Sequence, residues 1–252
     1  MQETLLLAAV GGLLIGLLLT VFGGGGSVLA TPWLIYVVGV SDTHVAIGTS
    51  AAAVAVNAAT GLWAQARAGT VKWPCAIVFA IAGLAGALAG AQAGKSINGS
   101  TLLDWFAIAM LAIAVSMAIP RKSAGDPGVR LAPQMVLKLA PVGFAAGLAA
   151  GFFGIGGGFL IAPGLMAATG MTLANASASS LVSVTLFGGA TSASYAASGQ
   201  IDWPLFVALI TGGSGGAVMG VPVSRLLATR ATTARRLFAL MVAAVAIYIF
   251  IK

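Results

Sequence analysis

Apolar residues fall in ten long runs along this chain, and polar residues are largely confined to the gaps between them. The runs cover about 4–22, 28–38, 44–65, 74–94 and 102–119, then about 134–153, 159–169, 175–198, 204–227 and 233–251. Most are close to the roughly 20 residues that a helix needs to cross a bilayer. Two are too short, 28–38 and 159–169, and each follows a cluster of glycines. Both halves therefore repeat one rhythm of long, short, long, long, long. The pattern predicts an all-α polytopic membrane protein with about eight full spans and two short helices. A polar linker, 120–133, holds Arg121, Lys122, Asp126 and Arg130 and separates a first transmembrane repeat, 1–119, from a second, 134–252.

Residue matching supports the repeat. At an offset of 131, Gly16, Phe22, Gly23, Gly25, Gly26, Leu29 and Pro32 fall on Gly147, Phe153, Gly154, Gly156, Gly157, Leu160 and Pro163. Further along the offset is 130, and Ala46, Ser50, Val54, Gly69, Trp73 and Pro74 match Ala176, Ser180, Val184, Gly199, Trp203 and Pro204. Two alanine- and glycine-rich halves would share some identities by chance. They would not bring two rare Trp-Pro pairs and two glycine clusters into register.

Composition then places the runs in lipid. Hydrophobic residues make up 60% of the 252 and charged ones 7%, against about 25% charged in a typical soluble domain. So few charges cannot cover a water-exposed surface, and the hydrophobicity excludes intrinsic disorder. The net charge of +7 would suggest nucleic acid in a soluble protein, but in a membrane protein basic residues mark cytoplasmic loops. Arg67, Lys72, Arg121, Lys122, Arg130, Lys138, Arg225, Arg230, Arg235 and Arg236 share one predicted side, with only Lys95 and Lys252 on the other. Equivalent loops of the two halves have opposite charge bias, so the repeats are expected to be inverted, with both termini outside. Inversion requires an odd number of crossings per half. Each glycine-broken pair then either crosses twice or enters and leaves on one side. The first residues, Met1-Gln2-Glu3-Thr4, lack the basic region of a signal peptide. Cys75, the single cysteine, follows Trp73-Pro74 and reads as a small apolar filler.

Candidate chemistry gathers at the glycine clusters, Phe22-Gly23-Gly24-Gly25-Gly26-Ser27 and Phe153-Gly154-Ile155-Gly156-Gly157-Gly158. Four consecutive glycines cost much helix propensity, and unwound backbone in lipid persists only where protein or a water-filled cavity satisfies it. One reading is a packing notch or kink. The other is a broken helix whose next half begins with exposed N–H groups, a terminus of partial positive charge that binds anions. Discontinuous helices at matching positions of inverted repeats point to a transporter's site. A dinucleotide fingerprint would need a preceding strand and a following acidic residue, and a P-loop would need a lysine; neither is present. Gly48-Thr49-Ser50 and Ser177-Ala178-Ser179-Ser180, with Ser183 and Thr185, follow the short segments, and Asn57 lies two turns further on. These groups can donate to an oxyanion without fixed charge, or simply bond between helices. Stripes at Gly86-Gly90-Gly94 and Gly212-Gly216-Gly220-Ser224 read as close helix packing. His44, beside Asp42, reads as a histidine at a helix start, with a proton-coupling role as the other reading. With one His, one Cys and no buried carboxylate pair, no catalytic constellation, metal site or cofactor is expected.

The paired motifs Phe22–Ser27 and Phe153–Gly158, each followed by a proline (Pro32, Pro163), resemble those of the TauE/SafE sulfite exporter family. So do Gly48-Thr49-Ser50 and the Gly-x-x-x-Trp-Pro hairpins Gly69–Pro74 and Gly199–Pro204. The resemblance spans nearly the whole chain. It implies an inner-membrane permease of inverted repeats that moves sulfite, sulfoacetate or another small sulfur-containing anion, and not an enzyme. One departure is Ala178-Ser179-Ser180 where the first half has Gly48-Thr49-Ser50. The expected donors are the N–H groups of Gly24, Gly25, Gly26, Ser27, Ile155, Gly156, Gly157 and Gly158, with Thr49, Ser50, Asn57, Ser179 and Ser180 completing the shell near midplane. Rocking of the halves would expose the site alternately. A channel using the same glycines as a filter is the alternative. The expected partners are the anion, the bilayer and a second copy of the chain in a homodimer, with no nucleic acid.

Overall fold

The computed structural model describes residues 2–118, 125–154, 158–228 and 231–251, and every regular element among them is helical. The long helices are α1 (Gln2–Phe22), α3 (Thr43–Arg67), α4 (Trp73–Lys95), α5 (Gly99–Ala118), α6 (Pro133–Phe153), α8 (Leu173–Ala196), α9 (Trp203–Ala228) and α10 (Ala231–Ile251). Their ends lie within a few residues of the apolar runs, because those runs stop where capping chemistry begins. Asp42 accepts the His44 and Val45 N–H groups at 2.8 and 3.2 Å to start α3, and Thr172 accepts that of Asn175 at 3.3 Å to start α8. Six helices among the described residues are long and apolar enough to cross a membrane, counting Gln2–Val38 as one. About eight full spans were expected; α5 and α10, at 20 and 21 residues, have the length of the other two.

The short elements differ from expectation in detail. A break spread over the glycine run was expected after α1. Instead Gly23 alone in the run takes a positive φ (+67°), and Gly23–Leu29 winds as tight 3-10 turns that continue into α2 (Ala30–Pro32) and the wider π turns of Trp33–Val38. A single residue without a Cβ suffices to reverse the chain. The glycines after it are free to follow a narrower helix. In the second half Gly154 has φ +66°, and α7 (Gly158–Thr169) follows. Residues 155–157 lie outside the described residues, as do 119–124 of the linker.

Close approach of backbones fixes the packing. A methyl group added at Gly212, Gly216 or Gly220 would strike the carbonyls of Ala9, Leu13 or Leu17, so α1 and α9 run parallel. One added at Gly86, Gly90 or Gly94 would strike those of Phe144, Leu148 or Phe152, which makes α4 and α6 parallel in the same way. When the halves are exchanged at the offsets found in the sequence, Gly216 on Leu13 becomes Gly86 on Phe144, and Gly220 on Leu17 becomes Gly90 on Leu148. Of the remaining large interfaces, α3 with α8 and α5 with α10 map onto themselves under that exchange, and α3 with α9 maps onto α8 with α4. Glycine stripes thus act as packing surfaces, as expected.

α3 and α8 sit at the centre and are the most buried of the long helices. They run antiparallel: Gly188 lies against Ala51 and Ala55, and Gly61 against Leu181. Large apolar side chains face outward on the peripheral helices, among them Ile81, Leu137 and Leu240 at 67, 79 and 68% exposure. That surface suits lipid and not water. One end of the bundle gathers the start of α3, the turn after α4 and the turn before α9, where Lys95 Nζ donates to Ser194 O and Ser198 Oγ. The other gathers the α3–α4 turn with Lys72, the linker, and the turn after α7, where the Asn175 amide donates to Pro127 O.

Candidate functional site

Among the described residues, the interior around the short helices contains hydroxyls, amides and backbone, and no charged side chain. Gly24 donates its N–H to Ser180 Oγ at 3.1 Å, and Ser180 in turn donates to Ser177 O at 2.8 Å. Ser27 Oγ donates back to Gly24 O at 2.7 Å, which pins the 3-10 turn. Gly25 and Gly26 are buried in that turn, and Gly26 lies on the backbone of Leu18 and Leu19. At the far end of the same segment, Thr31 Oγ1 and Ser50 Oγ share a hydrogen bond of 2.7 Å, while Ser50 also reaches Ile47 O at 3.0 Å. The segment from Gly23 to Thr31 therefore joins two positions, one at Ser180 and one at Ser50.

These positions are at different heights. Ser180 is beside Leu181, which meets Gly61 on α3, and Gly61 is eleven residues beyond Ser50. At 1.5 Å per residue the two serines are about 16 Å apart along the bundle axis. Ser50 and Ser180, expected in one shell around a midplane anion, thus stand at two heights in the bundle. Small oxyanions are too compact to touch both at once.

Thr49 and Ser179, expected in the shell, serve the ends. Thr49 Oγ1 accepts the Asp202 N–H at 2.9 Å, and Ser179 Oγ accepts the Lys72 N–H at 2.8 Å. Thr49 and Ser179 are equivalent by the repeat, as are Lys72 and Asp202, so each central helix secures the other half's hairpin. Asn57 is buried on α3, with its amide N–H 3.4 Å from Leu209 O, its side chain against Gly213, and no partner for Oδ1. Its counterpart Phe187 fills the same place against Gly83. Of the second glycine motif, Ile155, Gly156 and Gly157 lie outside the described residues, and Gly158 begins α7.

His44 stands apart from this interior. It lines an open depression of about 550 Å³ with Ser41, Asp42, Thr43, Asn98, Gly99 and Ser100 at the end of the bundle. Behind it the Tyr195 ring stacks at 6.2 Å, and Lys95 Nζ is 5.8 Å from that ring.

Sequence reasoning missed Thr31, Thr191 and Tyr195. Thr31 stands next to Pro32 and carries no other signal; it is found only because the short segment packs on α3. Ser177 and Ser183 were visible as part of a hydroxyl-rich stretch, but nothing in a sequence separates a bonded hydroxyl from an unbonded one.

A family model described as "Sulfite exporter TauE/SafE" matches residues 8–249. The chain is 42% identical to a "Probable membrane transporter protein" of Xylella fastidiosa, over 98% of this chain and 95% of that one. It is 27% identical to "Probable membrane transporter protein YunE" of Bacillus subtilis, over 87% and 88% of the two chains. No solved structure matches it.

Proposed function

The chain belongs to the TauE/SafE family of membrane transporters, and from that premise we propose that it exports sulfite or a related small sulfur-containing oxyanion or organosulfonate across the inner membrane. The observation that carries this reading is the pair of glycine-hinged short helices that begin inside the bundle, at Gly23 and Gly154, among neutral hydrogen-bonding groups. Backbone N–H groups at such helix starts, with hydroxyls beside them, suit a compact anion and reject a cation. Gly24, Gly25, Gly26 and Ser27 with Ser180 form one half-site. By the repeat, Ser50 belongs to its counterpart, whose glycine motif includes Ile155, Gly156 and Gly157, outside the described residues, and Gly158; the anion passes between the two half-sites as the halves rock.

The basic residues of the α3–α4 turn, the linker and the α9–α10 region support a cytoplasmic assignment of that end of the bundle. Both termini are then periplasmic, the two repeats are inverted, and each half crosses an odd number of times. Export needs no buried proton carrier. A dianion leaving a negative-inside cell gains about 4.6 kcal/mol per 100 mV, enough for a gradient of roughly 2,000-fold. Voltage alone drives the cycle, and His44 sits at its outer mouth without coupling protons to it.

The test is flux of sulfite, thiosulfate, sulfoacetate, sulfate and chloride in liposomes holding the purified protein at a series of imposed potentials. Sulfur oxyanion flux that saturates and grows with voltage is the expected result. Flux of none of the sulfur anions, or sulfite flux indifferent to voltage, overturns the proposal.

A further inference from the structure

Hydroxyls inside a helix ordinarily donate back to a carbonyl one turn earlier, and several on the two central helices do so. Ser50 reaches Ile47 O, Thr60 reaches Val56 O, Ser180 reaches Ser177 O, and Ser192 reaches Gly189 O. Ser177, Ser183, Thr191, Ser194 and Tyr195, all on α8, have buried hydroxyls with no hydrogen-bond partner. Ser194 and Tyr195 stand in the last turn beside Lys95, whereas Ser177, Ser183 and Thr191, at 4, 0 and 0% residue exposure, lie along the length of the helix. A buried hydroxyl without a partner is destabilising, so five on one helix, three of them along its length, call for a reason beyond packing.

The repeat sharpens the point. At the offset of 130 that superimposes α3 on α8, Ser177, Ser183 and Thr191 correspond to Ile47, Ala53 and Gly61. Where the scaffold is symmetric, each of these three polar groups faces an apolar or absent side chain in the other half. Structural hydroxyls behave differently: Ser50 with Ser180, and Thr49 with Ser179, are kept in both halves and are bonded in both. Along α8 Ser177, Ser183 and Thr191 extend over 14 residues, about 21 Å, which is most of the roughly 30 Å hydrocarbon thickness. They flank Ser180, where the first glycine turn docks.

We infer that the anion's route through the bundle is one-sided: it follows α8, handed between the hydroxyls of Ser177, Ser183 and Thr191, and α3 provides no matching track. The inference rests on the exporter reading for its cargo, a small oxyanion that accepts O–H bonds from neutral donors. α3 serves as the wall against which α8 and the short helices move.

The test uses the full chain with Cys75→Ala. Ser177→Ala, Ser183→Ala and Thr191→Val are each reconstituted for sulfite flux and, in parallel, melted in detergent. Each variant is expected to lose at least tenfold in flux with no fall in melting temperature, because a group without a partner has been removed. Thr60→Val and Ser192→Ala are expected to stay within twofold in flux. Flux within twofold for all three α8 variants, or a loss of flux that tracks a loss of melting temperature, overturns the inference. A second arm is independent of cargo: Ser183→Cys, Thr191→Cys and the equivalent Ala53→Cys are exposed to a negatively charged methanethiosulfonate. Modification at Ser183→Cys and Thr191→Cys but not at Ala53→Cys supports the α8 track, even if the unmodified protein moves no sulfur anion and the exporter reading falls. Equal modification at all three, or none at the two α8 positions, overturns it.

Discussion

Two adjacent glycines of α9 should respond to the same substitution with opposite sign. Gly216 is buried against α1, and a Cβ there would collide with the carbonyl of Leu13, while one at Gly215 would meet nothing within 4 Å. At Gly215, alanine improves helix propensity and loses nothing; the gain is about 0.5–1 kcal/mol. The other half already has Ala85 at the equivalent position. At Gly216 the same propensity gain is opposed by a backbone clash that no rotamer can relieve. The helices must retreat by more than about 1 Å to restore van der Waals contact, and overpacking on that scale costs about 1–3 kcal/mol, exceeding the gain. Gly86→Ala, which meets the carbonyl of Phe144, should cost as much as Gly216→Ala, because exchange of the halves maps one contact onto the other. Thermal unfolding of detergent-purified protein reads the difference, at about 2–4 °C per kcal/mol in a chain of this size. Gly215→Ala is expected to melt at or above the parent, and Gly216→Ala and Gly86→Ala several degrees below it by similar amounts. A melting temperature for Gly216→Ala equal to that of Gly215→Ala would refute the close parallel packing of α1 on α9. A harmless Gly86→Ala beside a damaging Gly216→Ala would refute the equivalence of the two interfaces.

Other predictions follow from named contacts. Thr49→Val and Ser179→Ala each leave a backbone N–H of the opposite hairpin without its acceptor, at Asp202 and Lys72; each should lose about 1–3 kcal/mol in thermal or denaturant melts. Gly23→Ala, forced into a left-handed conformation and against Ser180 Oγ, should melt far lower than Gly69→Ala, where the same conformation meets open space and the cost is about 1–2 kcal/mol. His44→Gln should leave voltage-driven flux and its pH profile unchanged; a flattened profile would assign His44 to proton coupling. Sulfite or thiosulfate should raise the melting temperature with concentration while chloride does not, since binding to the native state alone stabilises it.

Much of this protein is legible without coordinates. Hydrophobic runs near bilayer length give the long helices, because lipid leaves the backbone no other way to satisfy its polar groups. The paired glycine clusters, the Trp-Pro hairpins and the offsets of 131 and 130 set out two equivalent halves, and the packing of α1 on α9 and α4 on α6 keeps that register. Chain reversal at Gly23 and Gly154 is likewise local, since only a residue without a Cβ takes that conformation readily.

Tertiary structure alone decided what each hydroxyl does. Thr49, Ser50, Ser179 and Ser180 stand out by motif, yet Thr49 and Ser179 hold hairpins of the opposite half, 153 and 107 residues away in sequence. Ser50 and Ser180 hold the short helix at two heights. Ser177 and Ser183 of the same hydroxyl-rich stretch, and Thr191, which carries no motif, have no partner. A span or a turn follows from neighbours in the chain, whose geometry the sequence contains. A hydrogen bond depends on which distant backbone arrives opposite the side chain, and that is settled only when the helices pack.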